Sequence, residues 1–368
     1  MSQPLNPQPN SPLPHLTEPR PHPTLTTASL SRRGLLALGA AAAASLAVAR
    51  NAFSAQPAAE APGAIAPPPP APPSRQPERV LRLAHLTDFH IQPQLRGDQG
   101  VTACLAHMMQ HKPELILTGG DHVMDVFARD AGRATELSTL YHKTMKDNTG
   151  LRAEACIGNH DIWGWHKSKS KTTGEESNWG KNWSLENLRI DKRYRTFDLA
   201  GWRFVILDTV QINPTDANGY VGGLDDEQFN WLAGLLKETP ATMPVLVMSH
   251  IPIIHAGSIV FSGTAKPAEL SISGGVMCLD NKRIIHLFSK HPNVKVSLSG
   301  HLHSLERLDM QGVSYICSGA VSGHWWEGRP KKENLNPHMA RCDEGYAVMD
   351  LFADGTFSHS YHTYGWKA

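Results

Sequence analysis

Ile157-Gly158-Asn159-His160-Asp161 is the stretch on which the reading of the fold turns. It closes a short apolar run, Ala153-Glu154-Ala155-Cys156-Ile157, at the point where a strand would give way to a loop. An amide, an imidazole and a carboxylate stand side by side there, after a glycine that lets the backbone turn sharply. Taken alone, the stretch reads as an ordinary turn with Asx-type capping. Its neighbours decide otherwise.

Upstream, residues 80–87 read as a strand running into Asp88-Phe89-His90. Val101, Cys104, Leu105, Met108 and Met109 then recur at helical spacing over residues 98–111. Residues 115–118 form a second apolar strand ending at Gly119-Gly120-Asp121-His122, and helical periodicity returns over residues 129–145 before the opening stretch. This β-α-β-α-β order predicts a largely parallel α/β core. Downstream, residues 163–193 are polar and rich in tryptophan, an insertion beside the site. Residues 194–198 and 202–208 predict a hairpin, 225–237 a helix, and 245–248 a strand ending at Ser249-His250. An irregular stretch over 256–278 precedes a helix over 281–289 and a strand over 294–298, which ends at Gly300-His301-Leu302-His303. The rest reads as strands with tight turns, Asp354-Gly355 among them.

Five apolar strands therefore end in metal-binding residue types: Asp88 and His90, Asp121, Asn159 and His160, His250, and His301 and His303. In an open α/β sheet the carboxyl ends of the strands share one edge, so residues distant in sequence converge. One histidine after a strand is usually a turn or core residue, but five such ends are hard to attribute to chance. Imidazole, carboxylate and amide donors without thiolate suit Zn, Fe or Mn rather than a Cys-rich structural zinc or an all-oxygen calcium cage. So many candidate donors exceed what one tetrahedral ion needs. Two ions about 3.5–4 Å apart, sharing a carboxylate, would use them, and such pairs serve phosphate-ester hydrolysis.

The series Asp88-x-His90, Gly120-Asp121, Gly158-Asn159-His160-Asp161, His250 and Gly300-His301-x-His303 resembles the calcineurin-like metallophosphoesterases, with all five blocks in family order. The helix carrying Gln228-x-x-Trp231-Leu232 and the strand Val205-Ile206-Leu207-Asp208 are also similar to that family. The resemblance implies a four-layer α/β/β/α sandwich with two mixed sheets. It implies that Asp88, His90 and His303 hold the first of two transition-metal ions (Mn, Fe or Zn), that Asn159, His250 and His301 hold the second, and that Asp121 bridges them. It further implies in-line attack on phosphorus by metal-activated hydroxide, with His160 stabilising the phosphoryl oxygens and protonating the leaving alkoxide. The expected activity is that of a phosphodiesterase, with a phosphomonoesterase as the alternative and a non-catalytic binding protein on the same fold as the rival from another class. One departure stands out. Many family members place an aspartate three residues after the bridging one, where it orients the histidine equivalent to His160; here that position is Met124, with Asp125 next to it. The tyrosine of purple acid phosphatases is missing from the same offset, so no iron–tyrosinate site is expected.

The N-terminal portion is of another kind. Residues 1–30 are rich in Pro, Ser and Thr; Ser31-Arg32-Arg33 then precedes an uninterrupted small and apolar run to Ala49. Paired arginines, a weak apolar stretch and Ala47-Val48-Ala49 predict a twin-arginine export signal within residues 1–55 and a periplasmic or extracellular mature protein. Residues 56–78 form an Ala/Pro-rich linker, since 17 of the 27 prolines fall in the first 77 residues, and one folded domain spans 79–368. The net charge of +1 gives no nucleic-acid signature, and the run at 37–49 is too short for a membrane span. The expected partner is a small phosphoester; the oligomeric state stays open. The five cysteines contain no CxxC pair, which argues against a zinc ribbon or a thioredoxin-like site, and leave open one disulfide among Cys278, Cys317 and Cys342. His85, His122 and the tryptophans Trp163, Trp165, Trp325 and Trp326 each have two readings, packing or contact with the site. His255 reads as structural, Lys167–Lys171 as a solvated loop, and Asp161 as a loop cap.

Overall fold

The computed structural model describes residues 77–261, 263–266, 268–328 and 342–367. The predicted export signal, and the linker up to residue 76, lie outside them.

The first half builds as its periodicity dictates. β1 (Arg79–Leu86), β2 (Leu115–Thr118) and β3 (Ala153–Ala155) lie parallel and adjacent, joined by helices α1 (Gly97–Met109) and α2 (Ala131–Asn148). Asp130 starts α2 two residues later than the periodicity implied, because its carboxylate accepts the Arg133 N–H as an N-cap. The insertion after β3 carries two short helices, α3 (Lys167–Ser170) and α4 (Lys181–Leu188). Trp163 is buried, donates to the Arg129 carbonyl and packs on Trp183, so it anchors this insertion.

The second half opens with the predicted hairpin, β4 (Arg195–Leu199) and β5 (Trp202–Ile206), followed by a small ribbon of β6 (Val210–Ile212) and β7 (Tyr220–Gly222). Helix α5 (Asp226–Glu238) and strand β8 (Val245–Met248) follow. The stretch expected to be irregular holds a short helix α6 (Gly257–Phe261) and a ribbon of β9 (Thr264–Lys266) and β10 (Glu269–Ser271). His255 caps α6, its Nδ1 accepting the Ser258 N–H. Then come α7 (Asn281–Ser289), β11 (Val294–Ser299), β12 (Leu305–Met310), β13 (Val313–Ser318), β14 (Gly345–Phe352) and β15 (Phe357–Thr363).

Two mixed sheets result, in the orders β15-β14-β1-β2-β3 and β12-β13-β11-β8-β5-β4. Alternation along β1 explains how the layers stack: Leu81 and Leu83 face one way, Ala84 and Leu86 the other. Leu83, Leu115 and Leu117 meet Phe204, Leu246 and Leu298 between the sheets. Leu86 and Ile116 meet Leu105, Met108 and Leu137 of α1 and α2, while Val205 and Val247 meet Leu232, Leu236, Ile284 and Phe288 of α5 and α7. Each such side chain, fully buried, contributes about 1.5–3 kcal/mol. The molecule is the four-layer α/β/β/α sandwich expected from the sequence. All five cysteines are buried free thiols, so the disulfide left open among the last three is not formed. Among the described residues, no helix is long and apolar enough to cross a membrane.

Candidate metal centre

The carboxyl ends of β1, β2, β3, β8 and β11 bring the predicted residues together. Donor atoms of Asp88, His90 and His303 lie within 4.8 Å of one another, and so do those of Asp121, His250 and His301. Asp121 stands between the two triads: its Oδ2 is 3.6 Å from His90 Nε2 and 3.2 Å from His250 Nε2. The Oδ1 of Asn159 lies 3.0 Å from the same His250 nitrogen. All seven expected ligands therefore converge, and His160 is beside them, with a donor atom within 4.8 Å of those of His90 and Asp121.

The imidazoles are oriented from behind. A carbonyl can only accept, so the His303 Nδ1–H donates to Gly323 O at 2.6 Å and the His250 Nδ1–H to Gly119 O at 2.8 Å. His301 is turned the other way, its Nε2–H donating to Gly275 O at 2.9 Å. In the neutral ring the opposite nitrogen then presents its lone pair to the cluster, the arrangement that metal-ligating histidines adopt. His90 Nε2 and His303 Nε2 face each other at 3.1 Å.

Charge tells the same story. Burial pushes His90 down to about 4 and His301 down to about 3, so both imidazoles are neutral donors. Burial alone would raise the carboxyls of Asp88 and Asp121, but the histidines around them, His303 foremost for the one and His250 for the other, hold both below the usual range. At His250 burial is outweighed by Asp121, and the imidazole rises to about 9. A proton there sits where two oxygens attract positive charge, which is what a cation would exploit. Mixed N and O donors, inward lone pairs and a shared central carboxylate fit a pair of borderline transition-metal ions.

The backbone is bent to make this possible. Asp88 (φ 55°), His90 (43°), Asp121 (52°), His301 (71°) and His303 (52°) all adopt left-handed conformations, which side-chain-bearing residues tolerate only when their surroundings impose them. Those surroundings are a mesh between loops. Asp88 N donates to Gly120 O and His90 N to Asp121 O, both at 3.0 Å, while His301 N donates to Asp88 Oδ2 at 2.9 Å. Gly158 is required by close approach: a Cβ there would lie 2.1 Å from the Asp121 nitrogen.

Asp125 and His122 were open alternatives in the sequence; the network of Asp161 and the loop after β13 were not foreseen. Asp161 does more than cap its loop: buried, it accepts from Gly158 N, Asp121 N, His122 N and His122 Nδ1, each at 2.9 Å. His122 thereby lies behind the site, its Nε2 at 2.8 Å from Thr118 Oγ1. Asp125 faces His160 in place of the aspartate missing at Met124; its Oδ1 is 3.4 Å from His160 Nδ1, an ion-pair contact longer than a good hydrogen bond. Burial opposes charge on His160, but Asp121 and then Asp125 outweigh it and raise its pKa. The loop after β13 supports the first triad from below, with Val321 N donating to Thr87 O and Ser322 N to Asp88 O. The adjacency of Asp161 to His160, and of Asp125 to Met124, was the only sequence signal for any of these.

Comparison with known proteins agrees with this geometry. Residues 81–305, more than half the chain, match the family described as calcineurin-like phosphoesterase. A 3',5'-cyclic-nucleotide phosphodiesterase of Nostoc sp. (strain PCC 7120) is 24% identical over 173 residues, 47% of this chain and 56% of that protein. The match thus spans little more than half the length of that relative. A protein of Synechococcus sp. (strain PCC 6301) named as a probable cyclic nucleotide phosphodiesterase is 25% identical over 231 residues, 61% of this chain and 74% of its own. Among solved structures, a dimetal phosphatase from Danio rerio aligns with a TM-score of 0.49 at 15% identity, over 75% of this chain and 94% of that one.

Proposed function

The chain belongs to the calcineurin-like phosphoesterase family, and from that premise we propose that it is a phosphodiesterase acting at the Asp121-centred site. The observation that carries the reading is the position of Asp121 between two triads of donors. Asp88, His90 and His303 would hold one ion, Asn159, His250 and His301 the other, with Asp121 shared. When bound, such ions lower the pKa of coordinated water to about 7 and offset charge on phosphoryl oxygens.

The chain's own residues do the rest. His160 is a quarter exposed to the cleft while its backbone N–H is pinned to Asp121 Oδ1 at 2.8 Å, so the ring is held at the edge of the cluster. Asp125 faces its Nδ1 and favours the protonated ring, which keeps a proton available to the departing alkoxide. No side chain is needed as a covalent nucleophile. Support for a diester over a monoester comes from the two relatives, one named as a 3',5'-cyclic-nucleotide phosphodiesterase and the other as a probable cyclic nucleotide phosphodiesterase.

Bis- and mono-(p-nitrophenyl) phosphate, assayed with added Mn, Zn or Fe and with elemental analysis, test this directly. We expect faster turnover of the diester. The His160→Ala variant should keep its metal and lose about 10²–10⁴-fold in turnover. Faster monoester turnover would install the phosphatase alternative, and a metal-replete protein inert toward every ester would install the binding-protein one. Equal loss of metal and activity in His160→Ala would make His160 a ligand.

The proposal extends to location. Ser31-Arg32-Arg33 and the apolar run after it support export of the folded, metal-loaded protein by the twin-arginine route. Fractionation of cells expressing the full chain or its Arg32→Lys, Arg33→Lys variant checks this: equal export of both would refute it.

A further inference from the structure

Among the described residues, Trp325 is the one large aromatic side chain that meets both the first triad and His160. Its ring lies 3.8 Å from that of His90, is stacked 4.8 Å from that of His303 at an interplanar angle of 19°, and meets His160 edge-on at 5.3 Å. The family match ends at residue 305, so the match itself says nothing of this residue.

Its neighbour shows how it is held. Trp326 is fully buried, and its Nε1–H donates to His90 O at 3.0 Å. The indole fills the space beside Gly100 of α1, where a Cβ would lie 2.3 Å from the ring. Both tryptophans are left-handed, at φ 62° and 67°, an unfavourable conformation for bulky residues that the surrounding bonds must enforce. Trp326 N donates to Ser322 O, and the same loop carries the Gly323 carbonyl that orients His303. Trp326 is thus an anchor. Trp325, by contrast, is only partly buried, with its ring against His90, His303 and His160.

Resting on the reading of His160 as the group that protonates the leaving oxygen, we propose that Trp325 is a specificity-determining wall. It packs against the leaving group and selects phosphodiesters whose leaving group bears a planar aromatic ring, an aryl group or a nucleobase. An indole offers a broad flat apolar face with a π quadrupole, and stacking on it rewards a planar aromatic ring. A second aromatic group stands beside the other triad: Tyr220 lies 6.2 Å from His301 and 6.1 Å from Phe127. The cleft therefore has aromatic surface next to each half of the cluster.

Calorimetric titration of the full-length, metal-replete protein with adenosine 5'-monophosphate and with ribose 5-phosphate tests the wall without relying on turnover. Trp325→Ala should weaken the nucleotide about tenfold or more and leave ribose 5-phosphate within about twofold, as expected for loss of one base stack. Trp325→Phe, which keeps a ring, should retain most of the nucleotide affinity, and metal content should be unchanged in both. Equal weakening of the two probes, or unchanged nucleotide binding, would overturn the proposal. Loss of metal in Trp325→Ala and Trp325→Phe alike would overturn it too, by making the residue a support for the histidines. A wild type that binds the nucleotide in preference to the sugar phosphate yet hydrolyses no ester would sink the phosphodiesterase reading and leave the wall standing.

Discussion

Four nitrogens donate to the carboxylate of Asp161, three of them from the backbones of two different ligand loops. That makes it the staple between the loop of Asp121 and the loop of Asn159. Replacing it with Ala would leave three buried backbone N–H groups without an acceptor, each costing about 1–3 kcal/mol. Asp161→Ala should therefore lose at least about 3 kcal/mol, seen as a lower urea midpoint at unchanged slope, and Asp161→Asn, which keeps one acceptor oxygen, distinctly less. An Ala variant within about 1 kcal/mol of wild type would show that the two loops hold each other without the carboxylate. Such staples are needed because five ligands sit in left-handed backbone, where each residue costs on the order of 1–3 kcal/mol.

At the level of elements, strands and ligands were legible and their supports were not. β2 (Leu115–Thr118) and β8 (Val245–Met248) came out at their predicted bounds because short apolar runs ending in Gly-Asp or Ser-His leave little freedom. The seven donors were legible for a related reason: strand ends on one sheet edge converge whatever the intervening loops do. The supports are tertiary. Nothing in Ala320-Val321-Ser322-Gly323 announces that its backbone will bond Thr87, Asp88 and His303, partners met only after the two sheets pack. Asp125 illustrates the same limit. A spacing rule points to Met124, while the turn after Asp121 presents the next residue to His160. Regions without periodicity, such as the stretch holding α6 and the β9–β10 ribbon, form structure through contacts that no local pattern encodes.

For the molecule as a whole, two histidines outside the ligand set, His85 fully buried and His359 partly buried, add to the response to acid. Burial pushes His85 down to about 3 and His359 down to about 4; His359 adds to the lowering of His85, and Arg307 to that of His359. Both folded-state values lie below the unfolded value, so the unfolded chain takes up protons first as pH falls. Their contribution is complete above about 6.5 and declines by about 1.4 kcal/mol per unit for each histidine until pH passes about 4 and then 3. Thermal melts from pH 7 to 4 should show falling stability, and His359→Gln should make the decline shallower; an unchanged slope in that variant would exclude His359 as its source. One further feature concerns how the protein comes into being. β1 pairs with β14, and Arg82 grips Asp350 through two 2.7 Å contacts across 268 residues of chain. A ribosome working from the N-terminus thus finishes Asp88 and His90 long before it makes the strand that closes their sheet. Until residues 345–352 emerge, β1 has only β2 beside it in the sheet and its other edge stays open. The sheet that carries Asp88 and His90 consequently closes only once residues 345–352 have been made.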